Sequence, residues 1–128
     1  MAIRIVQLGT ARGKDEGLRI GTVRRPPRGV AKARFAKQNW YDVWLPNLAP
    51  SAPLFSERST LGDAAAWKRF VRRYRSEMSK PDVSRLLDVL AALSRQTSFA
   101  VGCYCDDEAR CHRSVLRRLL VDRGAAIA

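Results

Sequence analysis

The sequence predicts an α/β fold: a small, mostly parallel sheet flanked by helices, in a single domain over residues 1–128. Three observations lead there. Short apolar stretches at 2–9, 17–23 and 97–103 have the length and residue content of strands. Two adjacent amphipathic helices in the second half must bury their apolar stripes, and a sheet is the natural partner. The last strand is followed by a loop and a helix, the arrangement that places functional groups at the carboxyl edge of an α/β sheet.

The elements follow in order. Ile3, Ile5 and Leu8 alternate along a first strand, and polar Thr10–Glu16 with Gly13 makes a loop. Leu18, Ile20 and Val23 carry a second strand into Arg24-Arg25-Pro26-Pro27-Arg28-Gly29-Val30. Two prolines remove two backbone donors and fix φ, so this segment is a stiff loop. It is either an anion cradle or a solvated connector. Residues 31–38 fit one short helix. Trp40, Tyr41 and Trp44 are expected to plug the core beneath an irregular stretch containing Pro46, Pro50 and Pro53, with a base-stacking platform as the sharper alternative.

Asp63 caps a helix over 63–78 whose stripe is Trp67, Phe70, Val71, Tyr74 and Met78. Lys68, Arg69, Arg72, Arg73 and Arg75 form its solvated sides. Pro81 and Asp82 suit the start of a helix over 81–94, with Val83, Leu86, Leu87, Leu90 and Leu93 facing inward. Ser98–Cys103 reads as a buried strand. A final helix over 111–123 buries Val115, Leu116, Leu119 and Leu120 and stops at Gly124.

Among the 128 residues, 24 are basic and 12 acidic, a formal charge of +12. The basic residues are spread from Arg4 to Arg123, so the field is diffuse and attracts polyanions without specifying one. Nucleic acid is a possible partner, although no zinc finger, basic zipper or RRM signature is present. An apolar fraction of 46% excludes a disordered chain. The longest apolar runs are cut by Arg or Asp, too soon for a membrane span, and Met1–Val6 reads as a strand rather than a leader. A cytoplasmic location is expected; the assembly state is not written in these residues.

All three cysteines and the one histidine fall between Cys103 and His112. An odd count argues against a disulfide framework. Three chemistries stay open. In the first, Cys111 at a helix start is a reactive thiolate beside His112, Arg110 and Arg113, with Cys105 as the other candidate nucleophile. The acidic Asp106-Asp107-Glu108 opposes thiolate formation, and the Cys105-to-Arg110 spacing is one short of a phosphatase loop. In the second, Cys103, Cys105, Cys111 and His112 supply zinc ligands, although the spacing departs from the usual pairs. Adjacent helical residues diverge by about 100°, so Cys111 and His112 share an ion only from an irregular turn. In the third the cysteines are small buried hydrophobes, which suits Cys103 best.

The C-x-C-x5-C-H-R-S-x-L pattern from Cys103 to Leu116 resembles the C-terminal signature of the domain of unknown function 488 family. Val23–Val30, Trp40–Trp44, Leu48-Ala49-Pro50-Ser51, Trp67-Lys68-Arg69-Phe70 and Arg73-Tyr74 are similar to its small YeaO-like branch. That branch usually lacks Cys-His-Arg, which this chain carries in the form of the wider family. The resemblance covers roughly residues 15–124 and implies an α/β fold and a shared site, without a reaction. The expected function is binding of a small anionic ligand, phosphate- or nucleotide-like, by Arg25, Arg28, Arg110 and Arg113. Cys111 or Cys105 would be the nucleophile and His112 the acid/base or orienting group. No cofactor motif stands out, and whether the protein is an enzyme stays open. The competing class is a nucleic-acid-binding module.

Overall fold

The computed structural model describes residues 1–57 and 62–128. Strands β1 (Ile3–Gln7), β2 (Leu18–Gly21), β3 (Val43–Trp44) and β4 (Phe99–Cys103) form one sheet in the order β1-β4-β2-β3. Every pairing is parallel. Helices α1 (Ala52–Phe55), α2 (Ala64–Met78), α3 (Pro81–Leu93) and α4 (His112–Asp122) complete the expected α/β architecture. No described helix is long and apolar enough to cross a membrane.

The sheet is organised around β4, the only one of its strands buried along its whole length. Its apolar run Phe99-Ala100-Val101-Gly102-Cys103 tolerates a neighbour on both edges and cover on both faces. Ile3 to Gln7 pair with Phe99 to Cys103, and Leu18 to Gly21 pair with Phe99 to Gly102. In a parallel sheet this register brings Gln7, Gly21 and Cys103 to the same edge. Gly102 is required there: a Cβ would lie 2.7 Å from Leu8 Cδ2 and 2.8 Å from the Val6 carbonyl oxygen.

One core joins Ile3, Ile20, Phe99 and Val101 of the sheet to Phe70, Tyr74 and Met78 of α2, Leu87 and Leu90 of α3, and Val115 to Leu120 of α4. The Asp63 carboxylate accepts from the Ala65 N–H and caps α2 as expected. Gly124, at φ +82°, follows α4 in the left-handed conformation that ends helices. A second, smaller cluster joins Leu8, Val23 and Tyr41 to Cys103 and Cys111.

Several expectations are corrected. Residues 31–38 form a 3-10 turn at Lys32–Arg34, not a helix, and none of its three residues is buried to drive one. Of the aromatic cluster only Tyr41 is buried; Trp44 is 43% exposed because it lies on the edge strand β3. Leu93 faces solvent at the end of α3.

Arg19 is the largest departure. Strand alternation beside Ile20 suggests a solvated side chain, yet Arg19 is fully buried while Leu18 is exposed. Its Nε and Nη2 donate to Glu16 at 2.8 and 2.9 Å, and its Nη1 donates to the Thr10 and Asn39 carbonyls at 2.8 and 2.7 Å. One guanidinium thereby fastens two loops to β2. Burial alone would raise the Glu16 pKa, but hydrogen bonds from Arg19 and the Gly13 N–H, with the charges of Arg19 and Arg12, hold it below the usual range. A depressed carboxyl contributes stability above the ordinary pKa of about 4.3, which is lost as pH falls through the lowered value. Glu16→Gln is expected to cost about 3–5 kcal/mol at pH 7, since it strands a buried cation, and progressively less below pH ~4 as the wild-type carboxylate protonates. Urea denaturation across pH measures this, and an equal loss throughout would contradict the pairing.

Candidate functional site

The carboxyl edge of the sheet opens into a cleft of about 940 Å³, within the range of small-molecule sites. Gln7, Leu8, Arg24, Arg25, Pro26, Pro27, Arg28, Trp40, Ala52, Phe55, Ser56 and Tyr104 line it. The arginine-proline loop forms one wall and is held at two points. Arg24 donates to the Pro50 carbonyl at 3.0 and 2.9 Å, and the Tyr104 hydroxyl donates to the Arg25 carbonyl at 2.8 Å. The Arg25 and Arg28 side chains remain exposed, and neither guanidinium has a hydrogen-bond or ion-pair partner among the described residues. Trp40 and Tyr104 meet edge to face at 5.8 Å. A smaller hollow of about 440 Å³ is lined by Arg73, Glu77 and Lys80, and its Glu77 carboxylate is already engaged by the Ser51 N–H and hydroxyl.

Next to the cleft, Cys103, Cys111 and His112 are buried with their ligand-capable atoms within 4.8 Å of one another. Cys103 ends β4 and points to the face on which α4 packs. Cys111 is the N-cap of α4, in extended backbone with φ −118° and ψ 152°, and His112 is the first helical residue. Extended geometry at Cys111 is what lets two adjacent side chains converge; on a continuous helix they would diverge. The His112 ring is fixed by Thr22, whose carbonyl lies 2.8 Å and whose hydroxyl lies 3.2 Å from Nε2. A carbonyl only accepts, so Nε2 carries the proton and Nδ1 faces Cys111 Sγ at 3.7 Å. The Tyr74 ring closes over the imidazole at 5.5 Å.

The third thiol joins this cluster from the exposed side, with Cys105 Sγ 3.7 Å from Cys103 Sγ. Hydrogen bonds from Cys103 and Cys105, then His112, outweigh burial and hold the Cys111 thiol well below its usual pKa. Cys103 moves the other way, through the bonds it gives to Cys105 and Cys111 and through burial. At Cys105 the bond from Cys103 lowers the value, but the bond to Cys111 and burial prevail and leave it pushed up to about 11.

The four expected anion-binding arginines do not meet in one place. Arg25 and Arg28 line the cleft, whereas Arg110 and Arg113 are not among the described residues that do. Arg110 lies over the Trp67 ring at 5.6 Å. Arg113 is 3% exposed, donates to the Cys105 carbonyl, and has a buried Nε with no partner. No carboxylate among the described residues pairs with it. Of the candidate catalytic groups, Cys111 and His112 are 2% and 5% exposed, while Cys105 is open to solvent. Sequence reasoning missed Thr22, which orients the histidine through its backbone, and Tyr104 as a cleft wall. Tyr104 carried a signal, since an aromatic between two cysteines at a strand end alternates away from the face they share.

A family model described as the active DUF488-N3 subclade matches residues 3–124. No curated protein and no solved structure matches the chain.

The burial pattern makes a direct prediction for alkylation in reducing buffer with EDTA. Cys105 reacts in the native protein, and its rate rises about tenfold per pH unit up to pH ~10 as the thiolate forms. Cys103 and Cys111 react only on unfolding. Mass spectrometry of the labelled peptides checks both statements.

Proposed function

The chain belongs to the domain of unknown function 488 family, and on that premise we propose that the cleft binds a small ligand combining an anionic group with a flat ring, as in a nucleotide. The observation that carries this reading is the pairing of two unpartnered guanidiniums, Arg25 and Arg28, with the Trp40 and Tyr104 rings in one cleft. Guanidinium groups give charge-assisted, two-pronged hydrogen bonds to phosphate or carboxylate, and the aromatic faces suit a planar ring. The position supports it further, since ligands of open parallel sheets bind outside the carboxyl ends of the strands. Arg113 acts through the Cys105 loop rather than on the ligand, and Arg110 is a flanking charge.

The reading is one of binding. A nucleophile has to reach its substrate, and Cys111 and His112 are enclosed; Cys105 is open to solvent but is not among the described residues that line the cleft.

Phosphate, pyrophosphate and purine nucleotides, titrated separately, test the proposal by thermal unfolding. A ligand at about 100 times its Kd adds about 2.7 kcal/mol, a rise of several degrees for a domain of this size. Arg25→Ala and Arg28→Ala are each expected to weaken binding about 10- to 100-fold, the value of a charged hydrogen bond. No rise with any anion, or a rise that survives both substitutions, would overturn the reading. Salt-sensitive binding to arbitrary DNA or RNA that also survives them would favour the nucleic-acid class instead.

A further inference from the structure

We infer that Cys103, Cys111 and His112, with Cys105 closing the set, form a binding site for a thiolate-preferring divalent metal ion of the zinc type. The site lies outside the anion cleft and its occupancy does not depend on that proposal.

The distances carry the argument. Two zinc–sulfur bonds of about 2.3 Å at a tetrahedral angle span about 3.8 Å between sulfurs, and a zinc–sulfur with a zinc–nitrogen bond of about 2.0 Å spans about 3.5 Å. Cys103 Sγ and Cys105 Sγ stand 3.7 Å apart, as do Cys111 Sγ and His112 Nδ1. The three buried donors are separated by at most 4.8 Å, about 1 Å beyond a tetrahedral edge, which side-chain rotation closes. Three buried donors already this close, with a fourth thiol 3.7 Å from one of them, need little reorganisation to take an ion.

Two further features are independent of those distances. Ligating histidines usually give their second ring N–H to a carbonyl or carboxylate, which fixes the tautomer and ring orientation. His112 Nε2 does so to the Thr22 carbonyl at 2.8 Å, leaving Nδ1 as the free donor on the cysteine side. The second feature is charge. A divalent ion with three thiolates and a neutral imidazole carries one negative charge. Arg113, buried with no carboxylate partner among the described residues and bonded to the Cys105 carbonyl, supplies the matching positive one. Without such an anion, a guanidinium buried with an idle Nε is costly.

The donor set also selects the ion. Three sulfurs and one imidazole exclude magnesium and calcium, which take oxygen, and favour zinc or its spectroscopic surrogate cobalt(II). Binding displaces the thiol protons to solvent, with no redox step.

The test is titration of the full, tag-free chain, reduced and stripped with chelator, with cobalt(II) under anaerobic conditions. One ion per chain should give sulfur-to-cobalt charge-transfer absorption and the visible bands of a tetrahedral ion, both abolished by stoichiometric zinc. Cys103→Ser and Cys111→Ser should remove the charge-transfer bands, and Cys105→Ala should lower them by about a third, as one of three thiolates is lost. His112→Gln should weaken binding at least tenfold. Circular dichroism establishes that each variant is folded, and the wild-type titration decides the matter even where one is not. Absence of charge-transfer absorption in wild-type at saturating cobalt, or its persistence in folded Cys103→Ser, overturns the site. Arg25→Ala, Arg28→Ala protein should bind cobalt as wild-type does, so this inference and the anion cleft fail separately.

Discussion

The hydrogen bond from His112 to the Thr22 carbonyl ties the start of α4 to the end of β2, and the sulfur-rich end of the molecule is arranged around it. It anchors a helix to a sheet through a backbone atom, so its geometry is set by the strand and not by a second flexible side chain. It also determines which imidazole nitrogen faces the thiols. The parallel register does the rest, because β4 delivers Cys103 to the same edge at which β2 ends.

Strand alternation then divides the chemistry between two compartments. Cys103 turns inward beside α4, Tyr104 turns toward the cleft, and Cys105 returns toward the cluster from the solvent side. Three consecutive residues thereby serve an aromatic wall and a sulfur cluster whose shared boundary is Leu8 and Tyr104. The cluster is held by elements that are also core. Tyr74, whose ring covers His112, is fully buried and donates its hydroxyl to the Leu48 carbonyl. The rigidity of the buried side therefore comes from hydrophobic packing that the cleft does not share.

Much of this was legible in the residues, and unequally. The helices and β4 were plain because their signal is repetitive: α2 and α4 place apolar groups every three to four positions, and β4 is an unbroken apolar run. Concentration of Cys and His between 103 and 112 marked the cluster, for contacts so near in sequence need little tertiary information. Arg19 was hidden because its burial depends on Glu16 and on carbonyls from two loops, and a long-range hydrogen-bond network leaves no periodic trace. Thr22 was invisible for a simpler reason: it acts through a carbonyl that every residue possesses. The expected meeting of four arginines failed because side-chain type says nothing about which way a strand or helix turns it. Arg113 falls on the inner face of α4, beside Val115 and Leu116, and is drawn inside with them.

The double anchoring of the arginine-proline loop has a consequence for selectivity. Arg24 clasps the Pro50 carbonyl and Tyr104 clasps the Arg25 carbonyl, while Pro26 and Pro27 remove torsional freedom from the two residues that follow these fastenings. A wall built this way keeps its shape whether or not anything rests against it. For the ligand proposed above, recognition in such a recess would be by dimension: a guest of the right span would enter with little ordering entropy to surrender, and one slightly too long would meet a wall stiffened by its anchors.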